Sequence, residues 1–323
     1  MSDKPKVAFY WCASCGGCEE SIVDLAEDIL MVVDSVEIVL WPVAMDFKRK
    51  DIEALPDGSI VAALINGGVR TNEQAEMVRL LRRKSQYIIA HGACAVMGGV
   101  PGLANQFTRE EILKYVYDDA PGVVNPDGTR PQAHSVDEGR DLTLPMLHDH
   151  VRALDQVVHV DYYLPGCAPA PANIKDAVVA LLKGELPPNG TVLTPDVALC
   201  SDCPRLDSKP ESPVINEWKR PHLTMMDPEL CFIAQGIPCM GPATRSGCGA
   251  LCIKGLMPCT GCYGPVSGEE DHGAKILSFL ASSIAAKEKD EVEQVLAGIP
   301  DPVGTFYRYG LPKSLLRGKV SNG

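Results

Sequence analysis

The sequence predicts an α/β chain, a doubly wound parallel sheet followed by a cysteine-rich, mostly irregular domain, and three observations predict it. Short Val- and Ile-rich runs alternate with stretches of helical spacing through the first half. The composition shifts past a break at Glu185–Pro195. Thirteen cysteines divide into two groups at the same place. Strands that alternate with helices build parallel sheets, because each crossover helix must pack back on the face it left. At 323 residues the chain suits one large domain or two modest ones. The boundaries fall at 1–190 for the sheet domain and 191–323 for the remainder.

The elements follow in order. Lys6–Trp11 is a short apolar strand. Glu19 to about Val33 has helical spacing, with Ile22, Leu25, Ala26, Ile29 and Leu30 on one face. Glu37–Trp41 and Ile60–Ile65 are strands, the second stopped by Asn66-Gly67-Gly68. A helix runs from Asn72 to about Arg83, with Thr71 as its N-cap. Gln86–His91 is a fourth strand, Arg109–Tyr117 a helix and His159–Leu164 a fifth strand. A helix from about Ala172 to Leu182 follows. The order expected is flavodoxin-like. Pro121, Gly122, Asn125, Pro126 and Gly128 mark an excursion between Ala120 and His148. Asp196–Pro265 is rich in Cys, Pro and Gly and poor in periodicity, so metal staples are expected to hold it. A helical stretch, about Gly273–Leu296, and an irregular tail end the chain.

The formal net charge of -12 argues against a nucleic-acid or anionic-lipid surface, which needs a basic patch. Lys48-Arg49-Lys50, the densest basic run, reads as a solvated helix start. No segment approaches the roughly 18–20 apolar residues of a bilayer span. The polar N-terminus shows no leader pattern. A soluble, cytoplasmic protein is expected, with no membrane and no nucleic acid among its partners. Disulfides are rare in that compartment, so the cysteines need another use.

The first group is Cys12, Cys15, Cys18, Cys94 and Cys167. Cys15 and Cys18 follow the first strand, Cys94 the fourth and Cys167 the fifth. Ligands of an open parallel sheet gather at the carboxyl ends of its strands, so these residues converge on one edge. Gly16-Gly17, Gly92-Ala93, Gly98-Gly99 and Pro165-Gly166 accompany them. Glycine lets backbone approach a bulky inorganic group. Four thiolates there suit a 4Fe–4S cubane, with buried free cysteines or zinc as rival readings. The second group is Cys200, Cys203, Cys231, Cys239, Cys248, Cys252, Cys259 and Cys262. Cys200-x-x-Cys203 and Cys259-x-x-Cys262 are clamps that zinc and iron–sulfur sites both use, and spacing does not choose between them. Cys12-x-x-Cys15-x-x-Cys18 imitates a bacterial ferredoxin motif, but Ile22 stands where the next cysteine belongs. Tyr263 after Cys262 excludes a haem attachment site. No Walker A or GxGxxG sequence supports nucleotide binding.

Four motifs now carry a resemblance. They are Trp11-Cys12-Ala13-Ser14-Cys15-Gly16-Gly17-Cys18-Glu19, His91-Gly92-Ala93-Cys94-Ala95, Leu164-Pro165-Gly166-Cys167-Ala168-Pro169, and the eight-cysteine region. Over nearly its whole length the chain resembles the small, iron–sulfur subunit of nickel–iron hydrogenases. Within that family it is most similar to the cytoplasmic, methyl-viologen-reducing type, which does not reduce the methanogen deazaflavin and feeds heterodisulfide reductase. The resemblance implies three 4Fe–4S clusters. Cys15, Cys18, Cys94 and Cys167 would hold the proximal one, Cys200, Cys203, Cys231 and Cys239 the distal one, and Cys248, Cys252, Cys259 and Cys262 the medial one. It implies no catalytic residue on this chain, whose role would be an electron relay from a large subunit to an acceptor iron–sulfur subunit. Cys200 stands where many relatives have His, and Cys252 supplies a fourth medial thiol where many have Pro, at a shorter offset from Cys248. Cys12 is left over as an unligated thiol. Glu19 reads as an acid at a helix N-terminus, with a proton path as the alternative, and His91 as a structural hydrogen-bond partner. His222 lacks ligand spacing.

The rivals are distinguishable. The nickel-bearing subunit would carry Arg before its first Cys pair and His after its last. The related complex I subunit has adjacent cysteines where Cys15-Gly16-Gly17-Cys18 stands. A sulfhydrogenase-type small subunit, linked to a pyridine-nucleotide module, is closer. A zinc-stapled, non-redox scaffold is the rival of another class.

Overall fold

A computed structural model describes residues 4–319; the start of the polar N-terminus and the end of the expected tail lie outside them. The chain opens with β1 (Lys6–Trp11), α1 (Gly17–Val23), α2 (Asp28–Ser35) and β2 (Glu37–Leu40). It continues through α3 (Arg49–Glu53), β3 (Ile60–Asn66), β4 (Val69–Thr71), α4 (Asn72–Lys84) and β5 (Ser85–His91). Helices α5 (Ala93–Met97) and α6 (Arg109–Lys114) lead to an exposed hairpin of β6 (His134–Asp137) and β7 (Arg140–Thr143). Then come β8 (Leu147–Arg152), β9 (Tyr162–Leu164), α7 (Pro171–Lys183) and β10 (Thr191–Val192).

Six of these strands form one parallel sheet in the order β10-β9-β5-β3-β1-β2. That is the flavodoxin-like order with one further edge strand. The central strands are buried on both faces and read as near-continuous apolar runs. Val7, Phe9, Leu64 and Ile89 pack on one side, with Ile22 of α1 and Ile174 of α7. Ala8, Ile65 and Ile88 pack on the other, with Val78 and Leu81 of α4. Thr71 caps α4 as its sequence position suggests, accepting from Gln74 N–H at 3.2 Å.

Four elements differ from expectation. The single helix over Glu19–Val33 is two, because the chain turns at Ala26, whose φ is 53°. Ile22 and Leu25 stay buried, while Leu30 of the expected stripe is 65% exposed. The fifth strand starts only at Tyr162, because the Asp161 carboxylate takes over a ladder position and accepts the Ile88 N–H at 2.7 Å. The break after α7 hides β10. Its two residues pair with Tyr162 and Tyr163 after a turn in which the Tyr162 hydroxyl donates to Pro187 O at 2.9 Å. The C-terminal helical stretch is also two helices, α9 (His272–Ser282) and α10 (Lys289–Ala297), after the short α8 (Leu251–Lys254). Between α9 and α10 the chain leaves the helix to bond Ile215, whose N–H donates to Ser283 O at 3.0 Å. The cysteine-rich region has a small apolar core of its own, including Ile215, Phe232, Ile237 and Ile276. Cys239 and Cys259 belong to it. After α11 (Pro302–Phe306) the tail is not loose: it returns to the sheet, and Gln156 donates to Pro312 O at 2.9 Å.

Candidate metal centres

The carboxyl ends of β1, β5 and β9 bring Cys15, Cys18, Cys94 and Cys167 together. Burial first pushes the Cys18 thiol well above its ordinary pKa, and Cys94, Cys167 and Cys15 around it push further. Cys94 is pushed up to about 12, by burial and then by Cys167 and Cys15. Burial is the larger cause in each case, and the neighbouring thiols act in the same direction. The glycines beside them are required by space. A Cβ on Gly92 would sit 2.2 Å from Cys18 Sγ, and one on Gly99 would sit 2.4 Å from Cys94 Sγ. Both have positive φ, 86° and 59°. Cys15 and Cys167 are exposed, whereas Cys18 and Cys94 are buried.

The neighbours of this ring are fixed by hydrogen bonds. His91 is fully buried and burial lowers its pKa to about 4, so the neutral ring donates from Nε2 to Cys18 O at 3.0 Å. The structural role expected of it is present. Glu19 lies in the first turn of α1 but is also buried. Its carboxylate accepts from the Trp41 indole and, at 2.5 Å, from Asn66 Nδ2. Its pKa is raised by burial against those two bonds. Glu19 thus ties α1 to the ends of β2 and β3 more than it answers a helix dipole. Cys12 packs in the core on the sheet, apart from the four, and burial alone raises its pKa.

In the second group, Cys200, Cys203, Cys231 and Cys239 line one cavity together with Lys209 and Gly241. Cys200 is pushed up to about 11 by burial, which the Lys209 ammonium partly offsets. Cys231 N–H donates to Ser208 Oγ at 2.7 Å, which ties its loop to the Cys203 turn. Cys239 is pushed up to about 12 by burial, against the backbone of Gly241 and Cys259. Cys248, Cys252 and Cys262 form a further set. Cys262 is pushed up to about 12 by burial, while the Cys167 backbone pulls it down. Cys167, Cys248 and Cys252 also act on it. Cys259 stands between the sets: burial raises it most, then Cys239, with Cys262 a smaller contributor.

Among the described residues no three His, Cys, Asp or Glu side chains close tightly enough for a single metal ion. Of the three sets, Cys200, Cys203, Cys231 and Cys239 are the one seen to border a cavity. His222 joins none of these sets. Two buried groups had no signature in the sequence. Arg245 bonds the carbonyls of Pro195 and Pro265 at 3.2 and 3.1 Å and pairs with Asp196 at 2.8 Å. Tyr263 does more than exclude a haem motif: its hydroxyl accepts from Ala170 N–H at 2.9 Å.

The chain is similar to known proteins over nearly its whole length. Residues 15–181 match the family model described as NADH ubiquinone oxidoreductase, 20 Kd subunit. The iron-sulfur subunit of the F420-non-reducing hydrogenase of Archaeoglobus profundus is 38% identical over 319 residues, covering 98% of each chain. An F420-non-reducing hydrogenase subunit of Methanothermobacter thermautotrophicus is 36% identical, covering 99% of this chain and 98% of the relative. Among solved structures, the [NiFeSe] hydrogenase from Desulfovibrio vulgaris Hildenborough superposes with a TM-score of 0.53 at 18% identity. That match covers 83% of this chain and 96% of the other, and shares the fold. With near-complete coverage by such relatives, the chain belongs to the hydrogenase small-subunit family, in its F420-non-reducing branch.

Proposed function

We propose that this chain relays electrons between a nickel–iron large subunit and an acceptor iron–sulfur protein, in a path leading toward heterodisulfide reductase. Three 4Fe–4S clusters would be held by its own thiolates. Cys15, Cys18, Cys94 and Cys167 hold the proximal one. Cys248, Cys252, Cys259 and Cys262 hold the medial one, and Cys200, Cys203, Cys231 and Cys239 the distal one. When bound, such clusters take up and release single electrons. The observation that carries the reading is the convergence of Cys15, Cys18, Cys94 and Cys167 on one sheet edge, where Gly92 and Gly99 leave no room for a side chain. Residues 1–190 would present the proximal site and residues 191–323 the other two. The chain's own part is to bury the thiolates, orient them and supply N–H donors, which tune such a centre. The setting proposed for the complex is the cytoplasm. No helix among the described residues is long and apolar enough to cross a membrane.

Metal analysis of the purified complex tests this. About twelve irons with matching acid-labile sulfide per chain are expected on the count of three four-iron centres. Stoichiometric zinc without iron overturns the reading. A nickel-containing subunit is expected to co-purify.

A further inference from the structure

Two buried tyrosines cross between the thiol groups, in opposite directions. Tyr263 follows Cys262 directly, yet its hydroxyl reaches the loop beyond Cys167. There it accepts from Ala170 N–H and donates to Asn173 Oδ1, both at 2.9 Å. Tyr309 arrives from the C-terminal tail. Its carbonyl accepts the Gly99 N–H at 2.8 Å, and Gly99 is the residue that backs Cys94 Sγ. Its hydroxyl lies 3.1 Å from Thr260 Oγ1, inside the Cys259–Cys262 clamp. The tail is seated firmly: a Cβ on Gly98 or Gly102 would come within 2.2 or 2.5 Å of Pro312 Cγ. Tyr263 is 3% and Tyr309 9% exposed. Between these ties the Cys167 backbone faces the Cys262 thiol.

We propose that Tyr263 and Tyr309 are positioning residues. They clamp the Cys262 loop onto the ring of Cys15, Cys18, Cys94 and Cys167, which fixes the spacing over which one electron passes between the two sites. The inference rests on the cluster reading above. One electron leaves the centre that Cys167 holds, which is oxidised, and enters the centre that Cys262 holds, which is reduced. Neither phenol gains or loses a proton. A phenylalanine keeps each ring's packing, and at 309 the backbone bond to Gly99, but forfeits the hydroxyl bonds. At 263 it also leaves the Ala170 N–H unpaired, and such a loss loosens a part-buried contact. Each tyrosine hydroxyl joins segments far apart in sequence.

The test uses the complex with its large subunit and the variants Tyr263→Phe, Tyr309→Phe, both together, and Thr260→Val. Iron and acid-labile sulfide are counted first. Samples are then mixed rapidly with hydrogen, frozen at intervals and examined by electron paramagnetic resonance. The double variant is expected to retain its iron. It should lose part of the magnetic splitting between the two reduced centres and fill the second one several-fold more slowly. Thr260→Val removes only the partner of Tyr309 and should shift both readouts less, in the same direction. A purely structural tyrosine would change the unfolding midpoint and leave splitting and filling rate alone. Full iron with unchanged splitting and rate in the double variant therefore overturns the clamp and leaves the cluster reading standing. Should the double variant lose iron, the same outcome in the iron-replete single variants overturns it. A wild-type complex with zinc and no iron overturns both.

Discussion

Replacing Gly92 by alanine tests the proximal site most directly. The backbone there has φ 86° and ψ 159°, a region that is essentially glycine-only and costs a side chain about 1–3 kcal/mol. The second contribution is steric. The new Cβ would sit 2.2 Å from Cys18 Sγ, where non-bonded heavy atoms rest about 3.5–4 Å apart. The sulfur must move by more than about 1 Å to restore that contact. Cys18 has little freedom to move: it is 6% exposed, and its carbonyl is held by His91 at 3.0 Å and by Ser21 at 2.8 Å. The displaced sulfur leaves the ring, so Gly92→Ala should lose about four of about twelve irons per chain. Gly184→Ala is the comparison. Its φ and ψ are 69° and 25°, nothing lies within 4 Å of its Cβ, and about 1–2 kcal/mol of backbone strain is all it should cost. Iron, sulfide and urea-unfolding midpoints are measured for both. If Gly92→Ala keeps all its iron and loses no more stability than Gly184→Ala, the glycine does not shape a metal centre and the reasoning fails.

Three further outcomes are expected. Cys12→Ala should leave iron and sulfide unchanged and cost about 1 kcal/mol in unfolding free energy, because it deletes one small buried group outside the thiol ring. Asp161→Ala should cost about 2 kcal/mol by chemical denaturation, since it leaves the buried Ile88 N–H without an acceptor and removes the carboxylate partner of Arg82, which keeps its carbonyl bonds. His272 has its pKa lowered to about 4 by burial. The unfolded chain, near 6.5, binds the proton first, so this stability is present above about pH 6.5 and lost as pH falls toward 4. His272→Gln should flatten that part of the pH–stability curve, by about 1.4 kcal/mol per pH unit in the window. Identical curves for the variant and the parent would remove His272 from the account.

The sheet and its loaded edge were legible because their causes are local. Interior parallel strands must be apolar on both faces, and Ile60–Asn66 and Ser85–His91 are. Once such strands alternate with helices, topology alone sends Cys15, Cys18, Cys94 and Cys167 to one edge. Most of the failures have a different origin. β10 is two residues long and is set by Gly190 N–H donating to Asp161 O at 2.7 Å, a contact with no periodicity to read. The break after α1 is a local turn at Ala26, while the one after α9 comes from the bonds of Val214 and Ile215 to Ser283, which override helical spacing. Tyr263 and Tyr309 were invisible for the same reason, as their partners lie far away along the chain.

The eight later cysteines show where spacing runs out. A C-x-x-C pair states that two thiols can share a centre but not which other pair completes it. The fold brings Cys200, Cys203, Cys231 and Cys239, the four proposed for the distal centre, around one cavity. Cys259 is harder, because Cys239 acts on it more strongly than Cys262 does. Its backbone explains the position. The Cys259 carbonyl accepts the Met240 N–H at 2.9 Å, which ties the clamp to the stretch of chain just past Cys239. Under the proposed assignment the Cys259 thiol would serve the medial centre while its backbone braces the loop of the distal one. The same economy recurs at Cys167, whose backbone faces Cys262 while its thiol belongs to the proximal ring. Under the proposed cluster assignment, one residue would span two centres in each place, and short, rigid gaps of that kind would matter more to the proposed relay than regular secondary structure in the region that sets them.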